Sequence, residues 1–182
     1  LDHIEVRAAE GSEGKLLIGH AAVFDKPTRI WDFNEVVRKG AFLETLTDDV
    51  RALFNHDPNW VLGRTIPQTL QLAEDEKGLG VRITPPDNQW ANDLLVSVKR
   101  GDISQMSFAF EIKEENWIFN DNELPLRELK KVKLYDVSIV TYPAYEETDI
   151  SVRKKVIIPA NPKRNSSNII ILRKKLELIE RS

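Results

Sequence analysis

Alternation of apolar and polar residues along the first half of the chain predicts a series of short strands. Residues 4–25 hold two such runs, with a turn between Gly11 and Gly14. A period of two is the pattern of a half-buried strand. Residues 35–47 are expected to form a short helix or turn around Gly40. The alternating pattern predicts further strands at 51–54, 69–72 and 79–83.

One segment in the second half has helical spacing instead. Between Gln89 and Arg100, apolar side chains recur every three or four residues, at Trp90, Leu94, Leu95 and Val98. Gly101 follows and suits the left-handed residue that ends many helices. Strands are predicted again at 103–112 and 131–141, with a loop over 116–125.

Together these elements predict a strand-rich α+β domain over residues 1–153. It is expected to be mostly antiparallel and to close, or nearly close, into a barrel with flanking helices. Residues 154–168 are polar and are predicted to form a linker. Residues 169–182 are predicted to form an amphipathic, basic, C-terminal helical tail, because their apolar residues fall at heptad-like spacing.

Composition narrows the chemistry. The 182 residues include no cysteine, which excludes disulfides, thiolate zinc sites and a cysteine nucleophile. No apolar run is long enough for a transmembrane helix, so no membrane partner is expected. The N-terminus lacks the basic and apolar regions of a signal peptide. The missing initiator methionine suggests a processed or trimmed chain.

The net charge of −3 hides an asymmetry along the chain. Residues 153–182 carry nine Lys or Arg and two Glu, which leaves residues 1–152 with a net charge of −10. An acidic body argues against nucleic acid as its main partner. The basic tail is suited to an acidic protein surface or to nucleic acid, although such tails are more often simply solvated.

Three histidines are available for acid–base chemistry. His3 lies at a terminus that is expected to fray, and His20 lies within a strand. His56 follows an apolar strand and sits in a polar turn, and strand ends and turns often present reactive side chains. Spacing alone still favours a structural role for it. With one well-placed histidine and no glycine-rich phosphate loop, no metal or other cofactor is expected.

Ser107 lies in a strand whose two faces differ. Alternation puts Met106 and Phe108 on one face, and Ser107 and Ala109 on the other. A hydroxyl beside a small residue on a rigid strand is predicted to be accessible to substrate. Taken alone, Ser107 is better explained as an ordinary strand serine.

Asp136 lies in the middle of an apolar strand. An acid there is costly to bury without a partner, and a histidine N–H is one such partner. An edge position that faces water is the alternative. Glu111 and Glu128 are competing carboxylates, and Ser138, on the same strand face as Asp136, competes as nucleophile.

In their order along the chain, these motifs resemble the phage prohead protease family, whose fold is similar to that of herpesvirus assemblin. No single stretch is specific, but six in the same order make chance similarity improbable. The matching stretches are Gly19–Asp25, Gly40–Phe42, Asn55–Asp57, Leu62–Thr65, Met106–Phe110 and Asp136–Tyr145.

The resemblance implies a herpesvirus-protease-like β-barrel with Ser107 as nucleophile, His56 as general base and Asp136 as the third member of a triad. Family members more usually have Glu at the last position, and Asp is shorter by one methylene. A serine protease also needs donors for the oxyanion. Arg64 is a candidate contributor, directly or through water, and an ion-paired surface arginine is an equally good explanation.

For the whole protein, the resemblance implies a capsid-maturation serine endopeptidase. It would cleave scaffold or the scaffolding segment of the major capsid protein, and also itself, and self-association into a homo-oligomer is compatible with that role. It would act inside the immature capsid, in the bacterial host cytoplasm. The rival is a capsid-assembly or scaffolding barrel that has kept the fold and lost the activity.

Overall fold

The computed structural model describes residues 6–11, 14–142 and Pro159, so the predicted linker and helical tail lie outside the described residues. Its strands and helix all belong to one compact unit, Leu1–Thr148. In chain order they are β1 Val6–Gly11, β2 Gly14–Val23, β3 Thr28–Ile30, β4 Phe33–Val37, β5 Arg51–Phe54, β6 Asp57–Arg64, β7 Leu70–Glu74, β8 Gly78–Ile83, α1 Gln89–Arg100, β9 Gln105–Ile118 and β10 Leu126–Val140.

The first sheet has four strands in the order β1-β2-β8-β7, and every pairing in it is antiparallel. The hairpin from β7 to β8 turns immediately before Gly78. A Cβ at that position would come within 1.9 Å of the Ala22 carbonyl oxygen, so only glycine lets β8 begin this close to β2.

The second sheet has six strands and is built around β10. One edge of β10 pairs antiparallel with β9 along most of its length. The other edge pairs in parallel with two different strands, with β4 near Leu126–Leu129 and with β5 near Asp136–Ile139. β3 extends the sheet beyond β4, and β6 extends it beyond β5. The expected mostly antiparallel sheet is therefore mixed at its centre.

Both sheets and the helix contribute to one hydrophobic core. From β9 and β10 the core includes Met106, Phe108, Val137 and Ile139. Because successive side chains of a strand point to opposite faces, Ser107, Asp136 and Ser138 point to the other face of the sheet. This alternation separates the apolar packing of these two strands from their polar residues.

The helix agrees with the sequence prediction at both ends. The side chain of Asn88 caps its first turn by accepting the Ala91 N–H at 3.1 Å. Gly101 ends it in the left-handed conformation, with φ of 82°. Of the predicted apolar stripe, Leu94, Leu95 and Val98 are buried, and Trp90 is half-buried.

Three strands were not predicted from the sequence. β3 and β4 occupy residues that include part of the predicted helix or turn at 35–47, where only the turn after Val37 forms. β6 contains Pro58, and a proline in a sequence usually indicates that a strand ends there. It is tolerated here because β6 is an edge strand with a single partner.

The predicted loop at 116–125 is also shorter than expected. β9 continues to Ile118 because the polar residues around Asn116 pair with β10 while their side chains remain exposed. The expectation was a closed or nearly closed barrel with flanking helices; no closed barrel forms among the described residues, and α1 is their only helix. The strands β1, β3, β6 and β7 each pair on one side alone, so neither sheet closes.

Candidate active site

His56 occupies a two-residue hairpin turn between β5 and β6. Phe54 pairs with Asp57 across the hairpin, which leaves Asn55 and His56 as its loop. Both have left-handed backbones, with φ of 54° and 57°, as a type I′ turn requires. Asn adopts this conformation readily, but the second position usually belongs to glycine. A side chain there costs about 1 kcal/mol, which the surrounding contacts must offset.

Backbone and side-chain hydrogen bonds tie this turn to the end of β10. The Asn55 N–H donates to the Ile139 carbonyl at 2.9 Å. Its side-chain oxygen accepts the Thr141 N–H at 2.9 Å. The His56 N–H donates to the Ser138 hydroxyl at 3.2 Å. The turn is therefore held by the strand that carries Asp136.

The imidazole of His56 meets the carboxylate that the sequence singled out. His56 Nδ1 lies 2.7 Å from Asp136 Oδ1. A carboxylate can only accept, so Nδ1 is the donor in this bond, and in the neutral imidazole this tautomer leaves the lone pair on Nε2. The Asp136 side chain is 12% exposed and that of His56 is 34% exposed. The acid is thus buried against its partner while the imidazole remains accessible.

Ser107 lies directly opposite Ser138 in the register of β9 and β10. Directly opposed residues share a face, so Ser107 is on the same face as Asp136 and Ser138. The prediction that Ser107 is accessible is wrong, because the residue is 1% exposed. Alternation tells which face of the sheet a side chain takes, but it does not tell what packs over that face.

The hydroxyl of Ser107 is buried without a hydrogen-bond partner among the described residues. No hydrogen bond joins it to His56, although Ser107 shares a sheet face with Asp136, the partner of His56. Leaving a buried hydroxyl unpaired costs roughly 1–3 kcal/mol. A buried polar group in this condition calls for an explanation, and a catalytic role is one of those recognised.

Arg64 is held by a carboxylate, Asp49, that is not part of the His56–Asp136 pair. Its guanidinium makes two bonds to Asp49, both of 2.6 Å. These bonds raise the pKa of Arg64 and lower that of Asp49. Arg64 pairs with Arg51, which in turn pairs with Asp136, so the backbones of Arg64 and Asp136 are two strands apart, roughly 10 Å. The ion-paired explanation fits this geometry better than an oxyanion role.

The competing carboxylates are engaged elsewhere. Glu128 accepts hydrogen bonds from Asn116 and Arg38, which hold the pKa of its carboxyl below the usual range despite burial. Glu111 accepts from Lys113 and Tyr135 on the surface, and these bonds lower its pKa as well. Of the three carboxylates considered from the sequence, Asp136 is the one that meets His56.

His20 is part of a second pair, which the sequence did not suggest. Its Nε2 lies 2.7 Å from Asp75 Oδ2. Asp75 also accepts the backbone N–H groups of Lys77 and Gly78, at 2.7 and 2.9 Å. This carboxylate organises the turn between β7 and β8. From the sequence, the run of acidic residues Glu74–Glu76 indicated only a solvated turn.

The described residues contain no group of three or more potential ligands that could hold a metal ion. No helix among them is long and apolar enough to cross a membrane. Three residues that contribute to the geometry were not assigned these roles by sequence reasoning: Asn55, Ser138 and Thr141. Asn55 is the chain neighbour of His56, whereas Ser138 and Thr141 approach the turn only because β5 and β10 pair in parallel, and a long-range pairing leaves no local trace.

Comparison with known proteins agrees with the chemistry of this site. A family model described as caudovirus prohead serine protease matches residues 2–161. The prohead protease of Enterobacteria phage HK97 is 28% identical over 159 residues, covering 85% of this chain and 67% of that protein. No solved structure gives a significant match. The chain therefore belongs to the caudovirus prohead serine protease family and is a serine endopeptidase of phage capsid maturation.

Proposed function

We propose that Ser107, His56 and Asp136 are the catalytic triad of this protease. The observation that carries the proposal is the 2.7 Å bond between His56 Nδ1 and Asp136 Oδ1, on the sheet face that also bears Ser107. A serine hydroxyl becomes a useful nucleophile only when a positioned base accepts its proton. The base in turn needs a third group that fixes its tautomer.

The role of each residue follows from the atoms that its hydrogen bonds leave available, Nε2 of His56 and Oγ of Ser107. Nε2 of His56 accepts the Ser107 proton as Oγ attacks the peptide carbonyl carbon. Asp136 stabilises the imidazolium that forms, without taking its proton. Collapse of the tetrahedral intermediate transfers that proton to the leaving amine, and water then releases the acyl group by the same route.

One feature of Ser107 supports its role, and its burial sets a condition on substrate binding. Its hydroxyl has no competing hydrogen bond within the described part of the chain, so its rotation toward Nε2 breaks none. Hydrogen bonds at catalytic sites are often long before substrate binds and tighten in the complex. Because Ser107 is 1% exposed, substrate must uncover this face of the sheet before attack.

The substrate is proposed to be the major capsid protein with its scaffolding segment, and the enzyme itself. The support is the family description and the name of the HK97 relative, a prohead protease. The proposed place of action is the interior of the immature capsid in the host cytoplasm. A herpesvirus-protease-like architecture is likewise a proposal, as is the helical tail.

The test is cleavage together with covalent labelling. The chain is co-expressed with its cognate capsid protein, and new termini are mapped by mass spectrometry. A fluorophosphonate probe is then used to identify the labelled serine. Ser107→Ala should abolish both signals, with a loss of rate on the order of a millionfold. Ser104→Ala is the matched control, since Ser104 is an exposed serine three positions away.

Normal processing by Ser107→Ala would overturn the assignment. Labelling at another serine would overturn it as well. Cleavage that is absent from the unaltered chain with its cognate capsid protein would favour the inactive scaffolding barrel.

A further inference from the structure

Ser138 touches both of the residues that form the proposed acid–base pair. Its hydroxyl donates to Asp136 Oδ1 at 2.6 Å and accepts the His56 backbone N–H at 3.2 Å. The residue is fully buried, at 0% exposure. A serine hydroxyl has a single proton to donate, and here that proton goes to the carboxylate.

We infer that Ser138 is a positioning residue of this protease, which orients Asp136 and holds the His56 turn in place. The inference rests on the proposed triad. The sequence left Ser138 open as a rival nucleophile because it shares a strand face with Asp136. Its hydrogen bonds argue against that role, since its proton is directed at the carboxylate and not at the imidazole base.

The first effect is on the carboxylate. Asp136 Oδ1 accepts from both His56 Nδ1 and the Ser138 hydroxyl. Two donors from different directions fix the rotation of a carboxylate more closely than one does. Since Ser138 and Asp136 are two residues apart on one strand, the sheet itself sets their spacing. The carboxylate is therefore aimed at the imidazole before substrate arrives.

The second effect is on the backbone of the turn. His56 has a left-handed backbone, with φ of 57°, at a position that glycine usually occupies. The bond from its N–H to Ser138 is one of the contacts that stabilise this conformation. Without it, the hairpin can relax and carry the imidazole away from Asp136. One buried hydroxyl thus couples the two halves of the acid–base pair.

The experiment compares Ser138→Ala, Ser138→Thr and the exposed control Ser104→Ala. The first readout is the proton resonance of the His56 Nδ1–H, which a hydrogen bond to a carboxylate moves well downfield of the backbone amides. Its assignment uses His56→Ala, which must lose it, and His20→Ala, which must keep it. We expect the resonance to broaden or vanish in Ser138→Ala and to survive in Ser104→Ala.

The second readout is the rate of fluorophosphonate labelling at Ser107. We expect Ser138→Ala to slow it by roughly ten- to hundredfold, the rate equivalent of hydrogen bonds to a charged group. Ser138→Thr keeps the hydroxyl and suits a strand, so it should restore most of the rate and the resonance. Thermal unfolding of each variant separates loss of fold from loss of position.

The inference is overturned if Ser138→Ala keeps both the downfield resonance and the labelling rate of the unaltered chain. It is also overturned if the probe labels Ser138 itself. Failure of the proposed triad would appear differently, as labelling or processing that survives in Ser107→Ala. The resonance needs no activity, so it tests Ser138 even in a chain that labels slowly.

Discussion

Two histidine–carboxylate pairs with the same 2.7 Å separation lie in different sheets of this protein, one in each. His56 bonds to Asp136 through Nδ1, and His20 bonds to Asp75 through Nε2. The carboxylates also differ in burial, because the Asp136 side chain is 12% exposed and that of Asp75 is 52% exposed.

The neighbours of the two pairs differ more than the pairs themselves. On the sheet face of Asp136 lie two serine hydroxyls: that of Ser138 donates to the carboxylate, and that of Ser107 has no hydrogen-bond partner within the described part of the chain. Beside Asp75 lie backbone N–H groups of a hairpin turn, and the residue paired with His20 across the sheet is Gly80, which has no side chain. A histidine–carboxylate bond therefore does not identify an active site. The sheet face of the His56 pair also carries the Ser107 hydroxyl, and for this reason we propose the His56 pair, and not the His20 pair, as part of the active site.

Removal of each imidazole in turn should have the largest effect on activity and should separate the two histidine–carboxylate pairs. His56→Ala should lower capsid-protein processing by on the order of a millionfold, as loss of a triad base does in serine proteases generally. His20→Ala should process at close to the rate of the unaltered chain, because its pair supports a turn in the other sheet. Both rates are read from mapped termini after co-expression.

A processing-competent His56→Ala chain would remove the base from the mechanism. A dead but folded His20→Ala chain would show that the second pair acts on substrate, and that the two pairs had been assigned the wrong way round.

Removing the carboxylate charge should have a smaller effect. Asp136→Asn keeps the shape but cannot hold the same imidazole tautomer, which costs on the order of 10⁴-fold in rate in other serine proteases. The effect should stay below those of Ser107→Ala and His56→Ala. Glu111→Gln is the control, because Glu111 is bonded to surface residues. Full activity of Asp136→Asn with a dead Glu111→Gln would move the orienting carboxylate elsewhere.

Sequence reasoning succeeded where the deciding interactions are local. The helix Gln89–Arg100, its Gly101 end and the turn at His56 all follow from residues close together in the chain. The need of Asp136 for a partner was also evident, since burying an unpaired acid is costly.

Sequence reasoning failed where the answer depends on distant strands. β4 is a strand because β10 pairs with it, although its last three residues fall in the helix or turn predicted at 35–47. The burial of Ser107 and the two bonds of Ser138 likewise depend on what the fold brings over them. Neither can be predicted from the alternation of a single strand.

The backbone conformations of His56 and His20 predict opposite effects of glycine, relative to alanine, on the stability of the fold. His56 has a left-handed backbone, so the free energy of unfolding of His56→Gly should be about 1 kcal/mol higher than that of His56→Ala. His20 lies in β2, where glycine is worse than alanine by roughly 0.5–1 kcal/mol. Urea unfolding of the four variants measures both differences. The same sign at both positions would mean that the turn at His56 is not strained.

The smallest expected effect concerns the charge of Asp75. Burial raises the pKa of this carboxyl, but hydrogen bonds from His20, Gly78 and Lys77 outweigh it and leave the pKa lowered. A carboxyl with a lowered pKa in the folded state stabilises the fold above its unfolded pKa, and the contribution is lost as pH falls through the folded value. Asp75→Asn should therefore be less stable than the unaltered chain near neutral pH, by under about 1 kcal/mol because the pair is exposed. The gap should shrink below about pH 4, the usual range for an aspartate. Urea unfolding across that range measures it, and a gap that widens in acid would mean that the folded state favours the protonated carboxyl.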